Sequence, residues 1–252
     1  MSPEETVSFR GRELKGSRLR CLMLTSLAER QVAASLSRLI EPHGLVTTQD
    51  SWQPRGFLEA GEAQLGSAEA FLTPEQREAV SSWWLAVRQN ANTPNWDLVA
   101  TAQFDGQRGL ILVEAKAHAG ELGAAGKPPG NERNDAQIRA AIKEANDALG
   151  GALQGWHLSA ESHYQLCNRF AWAWKVASLG IPVALVYLGF LDADEMGDGA
   201  FTSASAWQSC LLTHGDGVVP RDAWGQKIPA GASWFVPLIR SVRLSADVEA
   251  PH

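Results

Sequence analysis

Apolar and polar positions alternate at two periods along this chain, and the period predicts most of its elements. From residue 17 to 40, Leu19, Leu22, Met23 and Leu27 recur at helical spacing, with Ser17 placed to cap the start and Pro42 and Gly44 to end the segment. A short strand is expected at Leu45 to Thr47, and residues 50 to 72 carry no clear period. Thr73-Pro74-Glu75-Gln76 has the pattern of a capping box with proline in the first turn, followed by Val80, Trp83, Trp84 and Val87 on one helical face. Two runs of strand character follow, Trp96 to Phe104 and Gln107 to His118, joined by Asp105-Gly106, a pair suited to a two-residue hairpin turn. Beyond a glycine-rich loop at 120 to 130, a helix is expected from about Asn134 to Gly150-Gly151, and a second from about Ser162 to Leu179. Pro182 to Phe190 reads as a strand buried on both faces, and a helix near 203 to 212 and a strand from Trp234 complete the chain. This order gives an α/β class with a mixed central sheet flanked by helices, in a single domain over 1–252.

Composition narrows the choice of function. Hydrophobic residues make up 45% of the 252 positions and charged ones 20%, as in an ordinary globular chain. No apolar run approaches the roughly 18 residues of a membrane span, and the charged start lacks the apolar centre of a signal peptide. Cys21, Cys167 and Cys210 are too few and too scattered for a disulfide framework or a zinc site, and a cytoplasmic location is expected. A net charge of −6 argues against nonspecific coating of nucleic acid, yet Arg10, Arg12, Lys15, Arg18 and Arg20 oppose only Glu13 in residues 10 to 20. Ten tryptophans are spread without a repeat, and most are expected in the core or in a groove wall.

The hairpin carries the chemistry. A two-residue turn at Asp105-Gly106 pairs positions whose numbers sum to 211, so Phe104 faces Gln107, Thr101 faces Leu110 and Asp97 faces Glu114. Opposed residues share a sheet face, with Cβ atoms about 4.5–5.5 Å apart. Alternation puts Leu110, Leu112, Glu114, Lys116 and His118 on that face, and Ile111, Val113, Ala115 and Ala117 on the other. Two facing carboxylates repel unless a cation lies between them. Two carboxylates with a lysine beside them suit Mg²⁺ or Mn²⁺ and phosphodiester hydrolysis, because Mg²⁺ takes one or two carboxylates and completes its shell with water and phosphate oxygens.

Asp97 followed on the next strand by Glu114-Ala115-Lys116 resembles the PD-(D/E)XK nuclease superfamily, over roughly residues 70 to 190. The resemblance implies a restriction-endonuclease-like αβββαβ core, with an N-terminal helical extension and a C-terminal helix and strand added to it. It assigns metal binding to Asp97 and Glu114, water activation to Lys116, and a DNA or RNA substrate. It also implies a catalytic Gln165 on a following helix, with Arg169 one turn on, the pair reaching the scissile phosphate. An earlier glutamate, Glu59 or Glu62, would complete such a site, and many nucleases of this fold work as homodimers. The sequence departs from the family pattern at Trp96, where a proline precedes the Asp, and at Arg169, where an aromatic is sometimes found. Glu13-Leu14-Lys15 repeats the E-x-K spacing without a strand or an opposed Asp, and serves as a chance control.

Other residues admit further roles. His118 is either a substrate-binding or proton-carrying group or a strand-end histidine. Arg133, Arg139 and Lys143 could extend a basic groove, Trp172 could stack on a base, and Glu121 is expected in solvent. Ser162 and His163 do not form a hydrolase triad, and no G-x-S-x-G turn is present. The alternative to a nuclease is a catalytically inactive member of the fold, or a binding module using exposed tryptophans. A two-carboxylate glycosidase is disfavoured, since carboxylates on adjacent strands leave no space for a sugar.

Overall fold

A computed structural model describes residues 8–9 and 12–244. In chain order the elements are β1 (Ser8–Phe9), β2 (Arg12–Glu13), α1 (Gly16–Thr25), α2 (Glu29–Ile40), β3 (Trp52–Gln53), β4 (Ala63–Gln64), α3 (Pro74–Trp84) and β5 (Asn95–Trp96). They continue with β6 (Leu98–Phe104), β7 (Gln107–Lys116), α4 (Glu132–Ala152), α5 (Tyr164–Ser178), β8 (Val183–Leu191), α6 (Ala204–His214), β9 (Ile228–Ala230) and β10 (Ser233–Arg243).

Six strands form one mixed sheet in the order β3-β6-β7-β8-β10-β9. The β6–β7 pair is antiparallel, and β8 runs parallel to both β7 and β10. The hairpin register runs from Leu98↔Val113 to Phe104↔Gln107, as the sum of 211 requires. Asp105 and Gly106 both take positive φ, 51° and 82°, the conformation a two-residue turn demands.

Alternation along β7 and β8 divides the core. Ile111, Val113, Ala115, Ala184, Val186 and Leu188 pack under α1 and α2. Leu110, Leu112, Val183 and Leu185 pack on the opposite side with α3, α4 and α5. Every residue of β8 is buried, as a strand covered on both faces should be. Each such aliphatic side chain contributes about 1.5–3 kcal/mol by leaving water. No helix among the described residues is long and apolar enough to cross a membrane.

Four local expectations change. The helix expected over 17 to 40 breaks at residues 26–28, because the 56–57 segment docks there: Gly56 N–H donates to Thr25 Oγ1 (3.1 Å) and Phe57 N–H to Ser26 Oγ (3.3 Å). Ser17 does not cap α1; its hydroxyl donates to Glu121 at 3.0 Å, and Lys15 holds the N-cap position without a side-chain bond. Leu45 makes only an isolated bridge to Gln103, while α4 runs through Gly150-Gly151 to Ala152.

Candidate active site

The hairpin end, α5 and α1 meet around Glu114. The β6–β7 ladder stops at Leu98, and Asp97 lies one residue beyond it, where its Oδ2 accepts the Ala115 N–H at 2.7 Å. Asp97 is thus fixed to the peptide between Glu114 and Lys116. Glu114 is 1% exposed, and both its carboxylate oxygens are engaged. Oε1 accepts from Lys116 Nζ, and Oε2 accepts from Arg169 Nε at 2.5 Å. Arg169, 6% exposed, also donates to the Asn95 carbonyl at 2.7 Å and to Asn168 Oδ1 at 3.2 Å. Its guanidinium lies 4.4 Å from the Trp96 ring centroid. The two departures from the family pattern therefore touch: the indole at 96 supports the guanidinium at 169.

The charges are unevenly matched. Burial works to raise the Glu114 pKa, but Arg169 and Lys116 outweigh it and hold the group below the ordinary carboxylate value. Asp97 is pushed up to about 7, chiefly by desolvation and then by the Glu114 charge, with Lys116, the Ala115 N–H and Arg169 only partly opposing them. On α1, the buried Cys21 thiol is raised by burial, then by Asp97, Glu114 and Glu62.

The short β4–β5 ladder distinguishes the two earlier glutamates. It pairs Ala63 with Trp96 and Gln64 with Asn95, so Glu62 is next in register to Asp97. Glu62 accepts from Asn95 Nδ2 at 2.9 Å and from Arg18, whereas the Glu59 side chain is exposed. Sequence reasoning offered both and could not separate them, because the pairing of two-residue strands has no periodic signal.

Several expected site residues lie elsewhere. His118 Nδ1 accepts the Gly120 N–H at 2.8 Å, so Nε2 carries the proton and donates to the Asp198 carbonyl at 2.8 Å; both ring nitrogens are engaged in closing a turn. Glu121 is half-buried and accepts from Ser17 Oγ and from the backbone N–H groups of Ala117 and His118. Trp172 is fully buried against Trp83 and Trp84, so it cannot stack on a base. Within the basic segment, Arg10 lies outside the described residues, Arg18 pairs with Glu62, and Arg20 is buried in a two-point pair with Glu195. Arg139 and Lys143 pair with Glu161 and Asp147. Gln165 is half-buried, forms no side-chain hydrogen bond and lines a cleft that Arg169 also borders.

The donors suit a divalent ion in kind: two carboxylates one peptide bond apart through Ala115, one of them under-compensated and raised to about 7. A cation beside Asp97 would remove that penalty, although at Glu114 it would share the carboxylate with Arg169 and Lys116. Among the described residues no three His, Cys, Asp or Glu side chains converge as a metal-holding group.

No protein-family model, curated protein or solved structure matches this chain.

Proposed function

We propose that the chain is a divalent-metal-dependent phosphodiesterase acting on nucleic acid, built on the PD-(D/E)XK plan. The observation that carries this reading is the position of Asp97, bonded to the Ala115 N–H between Glu114 and Lys116 at the open end of the hairpin. The order α3, β5, β6, β7, α4, α5, β8, with β8 parallel to β7, supports the restriction-endonuclease-like core, with α4 as one helix beyond the αβββαβ pattern and β5 paired outside the main sheet.

Asp97 and Glu114 would hold Mg²⁺ or Mn²⁺, which would offset charge on the phosphate and acidify the attacking water. Lys116 Nζ, on the same strand face as Glu114, orients that water and stabilises charge developing on the phosphate. Arg169 fixes the Glu114 carboxylate, and Gln165, one turn earlier on α5, reaches the substrate. The test is a cleavage assay on single- and double-stranded DNA and RNA with Mg²⁺, Mn²⁺ and chelator. Metal-dependent cutting of any of them is expected; cutting that persists in chelator contradicts the reading.

The double occupation of Glu114 favours a second reading, a nuclease fold kept for binding alone. It predicts nucleic-acid binding with no cutting under any metal. The tryptophan-based binding module loses its support, because none of the ten tryptophans is exposed.

A further inference from the structure

A cleft of about 600 Å³ opens between the first turns of α4 and α5 and the 91–95 and 127–131 segments. Arg169, whose Nε holds Glu114, forms part of its lining, so the cleft is joined to the proposed reaction centre through that one side chain. The rest of the wall combines flat apolar groups with amides, including Pro94, Tyr164, Gln165 and Asn168. Its volume lies in the range of a small-ligand pocket. A base pair held within a duplex stack cannot enter it, whereas one splayed nucleotide can.

The surface charge points the same way. Affinity for a duplex backbone comes from cations that displace counterions, several per site. Most of the candidate cations are spent within the chain, Arg18 on Glu62, Arg20 on Glu195, Arg139 on Glu161 and Lys143 on Asp147, which leaves Lys15 and Arg133 exposed, too few for a duplex track. Lys127, at the cleft itself, is paired with Asp135. With a net charge of −6, recognition falls to stacking and hydrogen bonding with an exposed base. The cleft offers Tyr164 for the first and the uncommitted Gln165 amide for the second.

We propose that this cleft binds one unpaired nucleotide of the substrate, so that the protein takes single-stranded nucleic acid, or an unpaired end, in preference to duplex. The inference rests on the phosphodiesterase reading, since the cleft matters as a substrate site only beside a reacting phosphate.

The test is fluorescence anisotropy of the full chain with a labelled deoxyuridine octamer, a uridine octamer and a duplex of the same length. Ca²⁺ replaces Mg²⁺, so that carboxylates are occupied by a hard cation that need not support cutting. The single strand should bind at least about tenfold more tightly than the duplex. Tyr164→Ala should weaken it by about tenfold, the loss of one stacked base. Gln165→Ala removes a side chain with no internal partner, so it leaves the fold intact and should weaken the same strand several-fold. Tight binding of either octamer supports the inference, and the better binder identifies the sugar. Equal binding of duplex and single strand, or wild-type affinity in the Gln165→Ala chain, overturns it. The parent reading fails separately, by the absence of metal-dependent cutting of any substrate. A chain that cuts duplex as fast as single strand with Mg²⁺ keeps the enzyme and overturns the cleft.

Discussion

Replacing Arg169 by methionine tests the electrostatic account where it is most exposed to failure. Wild-type Glu114 is buried between two cations, and the Arg169 contact, Nε to Oε2 at 2.5 Å, involves two side chains almost wholly removed from water. Methionine keeps most of the apolar stem but leaves Glu114 with Lys116 alone. Breaking a buried pair from one side costs about 3–5 kcal/mol, because a charge remains without its partner. Loss of the guanidinium from the Trp96 face acts in the same direction. For a chain of this length, 1 kcal/mol corresponds to about 2–4 °C, so Tm should fall on the order of 6–20 °C. Urea unfolding should give the same loss as a lower midpoint at unchanged slope. The Glu114 pKa should rise, because Arg169 is the strongest influence opposing its burial. Two additions identify the cause. Glu114→Gln in the Arg169→Met background should restore much of the stability, and Mn²⁺ should raise the Tm of Arg169→Met more than that of wild type. A loss below about 1 kcal/mol, or no recovery with Glu114→Gln, would mean that Arg169 does not balance the buried Glu114 charge.

Asp97 supplies a pH prediction of definite sign. Its carboxyl titrates at about 7 in the folded chain against an ordinary 3.8, so the folded state holds a proton that the unfolded state has lost between those values. Its contribution is fully present below about pH 4 and falls away as pH rises to 7, by at most about 4 kcal/mol. Asp97→Asn should therefore raise the unfolding midpoint at pH 8 relative to wild type and leave it nearly unchanged at pH 4; equal effects at both would count against this. Trp172→Ala should lose about 3–5 kcal/mol in urea unfolding as an unfilled core cavity, whereas Trp172→Phe should lose less; a neutral Trp172→Ala would mean that the indole is not core.

The register of the hairpin was readable because Asp105-Gly106 admits only a tight turn, and a period of two then places every side chain on β6 and β7. The juxtaposition of Asp97 with the Glu114-Ala115-Lys116 segment followed from that arithmetic alone. What the sequence concealed depends on contacts made far along the chain. Nothing local distinguishes Ser26-Leu27-Ala28 from a continuing helix; the break comes from Gly56 and Phe57, which take up the hydroxyls of Thr25 and Ser26. Gly150-Gly151 reads as a stop, but glycine only costs a helix about 1 kcal/mol per residue, and α4 carries both within its last turn. The spacing of Gln165 and Arg169 correctly puts them on one side of α5. It does not reveal that the arginine turns inward to Glu114, a partner 55 residues away in sequence. The basic segment shows the same limit, since Arg18 and Arg20 look free in sequence and are paired with Glu62 and Glu195 in the fold.

The proposed function makes Asp97 and Lys116 essential to cleavage at the hairpin end. It is tested most directly by comparing nucleic-acid cleavage rates of wild type, Asp97→Ala and Lys116→Ala in Mg²⁺, with the fold of each variant checked by near-UV circular dichroism. Metal-dependent cutting by wild type is expected, with its loss in both variants while their spectra match wild type. Full wild-type cutting by either folded variant would contradict it.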